Sequence, residues 1–333
     1  MKKNNILKTP IFISAAIIFP LFFGCEEPDP EQTGYIPIVP QDTFPDLGHD
    51  GPYFEDSIYF GRENYIEYHS GTIPIILSAS HGGWIEPDEI PDRTEGTTVT
   101  DINTYQLTKV IMDTLESHFG GKPHVILCLL ERLKLDANRN INDASDGNIY
   151  AERAWKEYHH YIDVAKELVA INYGSGILFD IHGHGENPDG FYDLRTWLGY
   201  LISGNDLDLP DEDLNSEVFK NQSSIRTLAD TTTFTFVNIL RGETSFGTLM
   251  DSLGYPCVPS TNDPGPAGLR YFSGGYITDR HGSSDGSVIS AIQVELPQPG
   301  IRDTGENWSR YASAFAKAID IYYKFHMGKE LEL

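Results

Sequence analysis

Residues 72–83 read TIPIILSASHGG. The apolar residues in the first nine positions follow one another without the polar alternation of a half-exposed strand, which is typical of a strand buried on both faces of a parallel sheet. Two glycines follow His81 and let the chain turn sharply there. The stretch therefore predicts a central strand that brings a histidine to one edge of a sheet.

Strands and helices alternate along the chain on the C-terminal side of this strand. Patterns typical of strands cover 124–130, 176–185 and 287–296, and patterns typical of helices cover 101–119, 150–173 and 307–326. Such alternation indicates an α/β fold with a largely parallel sheet covered by helices. We expect it to form a single domain over residues 57–333.

The N-terminus has the pattern of an exported lipoprotein. Three lysines precede an apolar stretch that ends at Gly24-Cys25, the order of a secretory signal, and Gly-Cys resembles the lipobox of bacterial lipoproteins. Residues 1–24 are therefore the expected signal peptide, and the acidic, proline-rich residues 25–56 the expected tether. We expect a protein anchored by lipid at Cys25 in the bacterial cell envelope, periplasmic or on the outer surface. The alternative is an uncleaved membrane anchor, for which the proline-interrupted apolar stretch is short.

The charge of the chain limits its partners. A formal net charge of −25 disfavours nucleic acid and anionic membranes, so the expected membrane contact is the lipid anchor alone. A local basic pocket would still accept an anionic small molecule. Cys128 and Cys257 lie in apolar surroundings, and no disulfide framework is expected.

Four groups of polar residues follow or end the predicted strands. Ligands in open α/β sheets bind beyond the carboxyl ends of the strands. His81 leaves the first strand, LDANR (135–139) follows the second, His182 lies in the third and Glu295 ends the fourth. These positions are the candidates for a functional site.

The histidines predict a metal centre. A catalytic zinc ion takes three protein ligands from His, Glu and Asp and leaves one position open. We expect His81, Glu86 and His182 to bind one zinc ion per chain, with Asp101 as the competing third ligand. The alternative is that the histidines are hydrogen-bonded structural residues and that Asp101 caps the following helix.

Two further side chains near His182 compete with this ligand set. Asp180 and His184 lie two residues away on either side, and side chains at that spacing share one face of a strand. We take His184 as the replacement ligand.

Short motifs resemble those of N-formylglutamate amidohydrolases, in the same order along the chain. SASHGG, ERLKLDANR, DIHGHG and QVEL are similar to that family's PHSG, SRxxxDLNR, DxH and IE segments. DANRN also resembles a segment of zinc carboxypeptidases, and HGGWIEP resembles the HGGxIEPG of phage poly-γ-glutamate hydrolases. Carboxypeptidases have His-x-x-Glu as the first zinc pair, whereas Trp84 stands at that position here and Glu86 gives His-x4-Glu. The likeness runs from about residue 73 to 326 and leaves residues 190–280 unaccounted for.

The resemblance implies a mixed sheet with helices on both faces and roles for several residues. Glu295 would be the catalytic base that moves a proton from water to the leaving amine. Arg139 and Asn138 would clamp a substrate carboxylate, and Arg132 would bind a second carboxylate or the developing oxyanion. Asp136 would hold a ligand histidine in its tautomer.

A glycine-rich loop at 263–284 is a candidate lid that carries Arg280 as a further substrate contact. The expected function is a zinc-dependent amidohydrolase or deacylase acting on a small carboxylate-bearing amide, such as an N-formylglutamate-like compound, an N-acyl amino acid or a peptide. Export argues against N-formylglutamate itself. The alternatives are a surface lipoprotein that binds a ligand without turnover, and a zinc carboxypeptidase or γ-glutamyl peptide hydrolase acting on cell-wall peptides.

Overall fold

The structure is a computed structural model that describes residues 44–47, 51–187 and 190–331. The expected signal peptide, Cys25 and most of the expected tether lie outside the described residues. Contacts group the chain from Leu47 onward into one unit. Within the described part, no helix is both long and apolar enough to cross a lipid bilayer.

Eight strands in the described part form one sheet. They are β1 (Ile58–Phe60), β2 (Ile66–His69), β3 (Ile75–Ala79), β4 (His124–Cys128), β5 (Gly176–His184), β6 (Thr196–Gly199), β7 (Cys257–Val258) and β8 (Ile289–Pro297). Their spatial order is β1-β2-β4-β3-β5-β8-β6-β7. The four central strands β4, β3, β5 and β8 run parallel, and β2 and β6 join antiparallel on either side. The predicted mixed, largely parallel sheet is confirmed.

Eleven α-helices connect or follow these strands in the described part. They are α1 (Thr104–Phe119), α2 (Ile141–Ser145), α3 (Ile149–Tyr173), α4 (Gly204–Leu207), α5 (Asp211–Leu214), α6 (Glu217–Gln222), α7 (Arg226–Thr231), α8 (Phe236–Arg241), α9 (Phe246–Ser252), α10 (Tyr276–His281) and α11 (Gly305–Met327). A 3₁₀ turn spans Arg62–Asn64, and a π-helical turn spans Gln298–Arg302.

The helices cover both faces of the sheet, as predicted. On β5, Phe179 and Ile181 belong to the apolar core that includes Leu107 of α1 and Phe315 of α11. Leu178, which precedes Phe179 and points to the opposite face, belongs to the core that includes residues of α3. Because side chains alternate along a strand, the polar residues Asp180 and His182 share the α3 side of the sheet with Leu178.

The longest helix shows how local sequence fixes an element. The side chain of Asn148 caps the start of α3 by accepting hydrogen bonds from the backbone of Tyr150 and Ala151. Gly174 ends the helix with φ of 79°, a conformation that glycine adopts at low cost. The N-terminal part of α3 contacts the loop after β4 through Trp155, whose Nε1 donates to Arg139 O at 2.9 Å.

Candidate metal centre

The neighbouring parallel strands β3 and β5 bring His81 and His182 together. His81 follows β3 after one intervening serine, and His182 lies near the end of β5. Both side chains are buried. Their Nδ1 atoms lie 3.1 Å apart and their ring centroids 4.8 Å apart.

Asp101 completes this group. Its Oδ2 lies 3.4 Å from Nδ1 of His81 and 3.2 Å from Nδ1 of His182. The backbone holds it in place, because its N–H donates to His81 O at 2.9 Å and its Oδ2 accepts from Gly183 N at 3.1 Å. His81, Asp101 and His182 form a buried group that could hold a metal ion.

The spacing of the three atoms suits zinc. Bonds of about 2.0–2.1 Å at tetrahedral angles place neighbouring ligand atoms roughly 3.3 Å apart. The observed separations are 3.1, 3.2 and 3.4 Å. Two imidazole nitrogens and one carboxylate oxygen are also a donor set that zinc takes in catalytic sites.

Two buried carboxylates orient the imidazoles. His81 donates from Nε2 to Asp136 Oδ1 at 2.6 Å, and His182 donates from Nε2 to Asp180 Oδ2 at 2.8 Å. Ser78 Oγ in turn donates to Asp180 Oδ1 at 2.7 Å. With its proton on Nε2, each neutral imidazole presents a bare Nδ1 lone pair to Asp101, so the three convergent atoms repel one another unless a cation or added protons lie between them.

The charges of the site follow from this arrangement. Burial alone would lower the pKa of His182, but Asp180, Asp101 and Glu295 raise it well above its ordinary value. Burial likewise opposes ionisation of Asp101, yet His182 and His81, when they carry an added proton on Nδ1, hold its pKa well below the usual range. The centre thus attracts positive charge at its middle.

Glu86 is not part of the group, which corrects the expected ligand set. The backbone N–H groups of Trp84 and Ile85 both donate to Leu129 O at 2.8 Å, so the segment after the Gly82–Gly83 turn follows the end of β4. Glu86 is exposed there. Burial and the Glu86 carboxyl raise the pKa of Glu131 beside it. Asp101 stands where Glu86 was expected.

His184, the expected replacement ligand, also lies outside the group. Its ring stacks on Trp197 with centroids 3.9 Å apart, and its Nε2 donates to Arg195 O at 3.0 Å. Asp180 orients His182 instead of binding beside it. Asp180 lies two residues before His182 on the same face of β5, and this spacing, which the sequence alone contains, could have indicated the contact.

Glu295 lies beside the centre on the neighbouring strand. The register of β5 and β8 pairs it with His182. Burial raises the pKa of Glu295 to about 7, with Asp101 adding to the rise and His182 opposing it. Gln293 donates from Nε2 to Glu295 Oε1 at 2.9 Å, a contact that sequence reasoning missed. A carboxyl group with this pKa can both accept and return a proton near neutral pH.

A cavity of about 470 Å³ opens onto the centre. The expected site residues that line it are His81, Asp101, Arg132, Asn138, Arg139, His182 and Glu295. Glu86, Asp136 and Arg280 do not line it. The cavity therefore contains the metal group, the candidate base and cationic side chains within one enclosure.

The guanidinium of Arg132 contacts carboxylates of the metal centre. Its Nε and Nη2 donate to Asp136 Oδ2 at 3.1 and 3.0 Å, and its Nη1 lies 3.5 Å from Asp101 Oδ1. Its guanidinium thus neutralises two carboxylates that support the histidines. Arg132 also lines the cavity, and its expected contact with an oxyanion or a second substrate carboxylate stays a prediction.

Asn138 and Arg139 differ in how far their side chains are held by contacts with the protein. Asn138 is buried, and its Oδ1 accepts from the Ile277 backbone at 2.8 Å. It therefore ties the loop after β4 to α10. Arg139 has a half-exposed side chain whose Nε lies 3.8 Å from Asp136 Oδ2, which leaves its guanidinium fork open to the cavity.

Arg280 lies outside the cavity, which corrects its expected role. Its guanidinium lies 5.3 Å from the Trp155 ring centroid and 3.8 Å from Asp163, because α10 carries it toward α3. Arg270, from the same glycine-rich loop, lines the cavity instead and stacks over Phe272 at 4.9 Å. The sequence identified the loop but offered no way to tell which arginine faces inward.

Arg302 is a further residue that sequence reasoning missed. It is buried and lines the cavity. Its guanidinium donates to Leu296 O at 3.0 Å, to His184 O at 2.8 Å and to Ile102 O. It thereby joins the ends of β8 and β5 to the residue that follows Asp101.

Comparisons with known proteins give structural neighbours. Neither a protein-family model nor a curated protein sequence matches the chain. Similar solved structures include an N-formylglutamate amidohydrolase from Ralstonia eutropha JMP134, with 13% identity and a TM-score of 0.47 over 77% of this chain and 95% of that one. The catalytic domain of an N-acetylmuramoyl-L-alanine amidase from Bacillus (Paenibacillus) polymyxa var. colistinus has 10% identity and a TM-score of 0.32 over 76% and 99%. An amidase from Clostridioides difficile has 12% identity and a TM-score of 0.33 over 75% and 98%. At these identities the likeness concerns the fold, and the chemistry depends on the side chains of the site.

Proposed function

We propose that this chain is a zinc-dependent hydrolase that cleaves an amide bond in a small carboxylate-bearing substrate. The observation that carries the proposal is the convergence of Nδ1 of His81, Nδ1 of His182 and Oδ2 of Asp101 at 3.1 to 3.4 Å. A binding protein with structural histidines has no need for three ligand atoms at the floor of a cavity that repel one another unless a cation or added protons lie between them.

Glu295 would transfer the proton in this reaction. A zinc ion held by His81, Asp101 and His182 would supply Lewis-acid polarisation of the amide carbonyl and a more acidic water. Glu295, a buried carboxyl group paired in register with His182, would accept the proton of the attacking water and donate it to the leaving nitrogen. Gln293 fixes one oxygen of this carboxyl group, which leaves the other for the proton transfer.

Two arginines at the cavity would bind the substrate carboxylate. Arg139 and Arg270 both line it and are exposed. In a chain of net charge −25, two cationic forks beside one cavity favour an anionic ligand there. If the N-terminal segment exports and anchors the chain as its sequence predicts, the substrate would be an N-acyl amino acid or a peptide of the cell envelope and not a cytosolic metabolite.

Metal content and turnover test the proposal together. We expect about one zinc ion per purified chain by elemental analysis, and hydrolysis of at least one amide in a panel of formylated, acylated and γ-linked glutamates. Glu295→Gln keeps the side-chain volume but cannot accept a proton, so it should lower kcat by about 10²- to 10⁴-fold while zinc is retained. Glu86→Gln is the matched control, because Glu86 is exposed and outside the group; it should leave zinc content and kcat unchanged. Full activity of Glu295→Gln, or loss of zinc in Glu86→Gln, would contradict the proposal.

A further inference from the structure

Three exposed apolar side chains line the same cavity as the metal group. Val99 is 72% exposed, Ile102 54% and Phe272 37%. Single exposed apolar residues are common on protein surfaces and need no explanation. Three of them around one polar cavity form an apolar surface. A ligand bound in the cavity would shield this surface from water.

Two of these side chains flank a residue of the metal group. Val99 and Ile102 lie on either side of Asp101 in the segment before α1. Backbone contacts hold this segment, because the Asp101 N–H donates to His81 O and Ile102 O accepts from Arg302. The apolar surface is thus fixed next to the reacting centre.

Two arginines line other parts of the cavity. Arg139 comes from the loop after β4, and Arg270 comes from the glycine-rich loop, where its guanidinium stacks on Phe272. One cavity therefore offers apolar surface from the segment before α1 and positive charge from two other loops. A volume of about 470 Å³ lies within the range of pockets that enclose drug-sized ligands, which are much larger than a formyl group.

We propose that the site takes N-acyl amino acids whose acyl group is a multi-carbon apolar chain, packed against Val99 and Ile102, with the amino-acid carboxylate at Arg139 and Arg270. This inference rests on the proposed function and narrows its substrate class. Hydrolysis would break the amide C–N bond, with the water hydroxyl joining the acyl carbon and a proton joining the nitrogen. The products are an aliphatic carboxylate and a free amino acid.

Binding of a homologous acyl series tests the inference separately from turnover. N-acetyl-, N-butanoyl- and N-octanoyl-L-glutamate are titrated calorimetrically into the zinc-loaded Glu295→Gln chain. We expect the Kd to fall at least about tenfold from acetyl to octanoyl, because each buried methylene adds to affinity. The Val99→Ser, Ile102→Ser double variant in the same background should lose most of that gain. Both positions are exposed, so the changes should cost little stability.

Val218→Ser is the matched control, since Val218 is 70% exposed on α6 and does not line the cavity. This variant should keep the full fall in Kd from the acetyl to the octanoyl ligand. Equal affinity for the three ligands, no binding of any of them, or a gain that survives the double variant would each overturn the inference. If the octanoyl preference depends on Val99 and Ile102 but the wild-type chain hydrolyses none of the amides, the recognition stands and the proposed function fails.

Discussion

The proton positions of His81 and His182 determine what the centre can bind. Asp136 and Asp180 each accept from an Nε2, and both carboxylates are fully buried. When the imidazoles are neutral, as metal ligands must be, the single proton of each lies on Nε2 and both Nδ1 atoms are bare and face Asp101. The two carboxylates therefore act through the histidines, which makes them positioning residues.

Asp180→Asn tests this positioning. The amide keeps the shape of the side chain but removes the charge and weakens the acceptor facing His182, so we expect zinc affinity to fall about 10- to 100-fold. Competition with a chromogenic chelator gives the Kd. Asp113→Asn, an exposed position on α1, serves as the control and should bind zinc as the wild type does. An unchanged Kd in Asp180→Asn would mean that His182 does not need this partner.

At the scale of elements, the long and strongly patterned segments were predictable, and the short ones were not. The sequence predicted α1, α3 and α11 and the four central strands, because a buried parallel strand or an amphipathic helix leaves a continuous signal. It missed β1, β2, β6 and β7 and the short helices between residues 204 and 252. Helices of four to seven residues are too short to be stable alone and form only because tertiary packing holds them.

The same limit applied to the site. His81, just after β3, was expected to meet His182 on β5 and Glu295 on β8, and the three do meet. Neighbouring parallel strands bring their carboxyl ends to the same edge of the sheet. Residues on loops were assigned less well, since sequence spacing does not say which way a loop leaves the sheet. Glu86 lies on a segment that runs beside the end of β4, and Arg280 lies on α10, whereas Asp101 and Arg270 line the cavity.

Arg302 links three elements at this edge. Its guanidinium donates hydrogen bonds to carbonyl groups at the ends of β8 and β5 and in the segment before α1. Arg302→Met keeps much of the apolar stem but leaves three carbonyl groups without their charged donor, and we expect a loss of about 3 kcal/mol or more in the free energy of unfolding. Urea denaturation measures this. Arg310→Met is the control, because Arg310 pairs with Glu306 on the exposed face of α11, and such a pair contributes about 1 kcal/mol at most. Equal losses in the two variants would contradict the linking role.

At the scale of the whole molecule, buried neutral histidines make stability depend on pH. His124 at the start of β4 is 2% exposed, and its Nδ1 accepts from the Gly71 backbone at 3.1 Å and lies 2.9 Å from the Tyr68 hydroxyl. Burial lowers its pKa to about 3. A proton on Nδ1 would also displace the Gly71 hydrogen bond, so the folded state resists the cation.

The sign of the pH effect follows from these pKa values. Between the ordinary pKa of about 6.5 and the folded value of about 3, the unfolded chain binds the proton and the folded chain does not. The free energy of unfolding therefore falls as the pH falls through this window, by about 2 kcal/mol between pH 7 and pH 5 from His124 alone. Replacing His124 by Asn keeps an acceptor but removes the titration, so urea midpoints of His124→Asn should fall less over the same interval. His118→Asn, at a half-exposed position on α1, should keep the wild-type slope. If His124→Asn loses stability as steeply as the wild type, the buried imidazole is not the source of the acid sensitivity, and the other buried histidines would have to supply it.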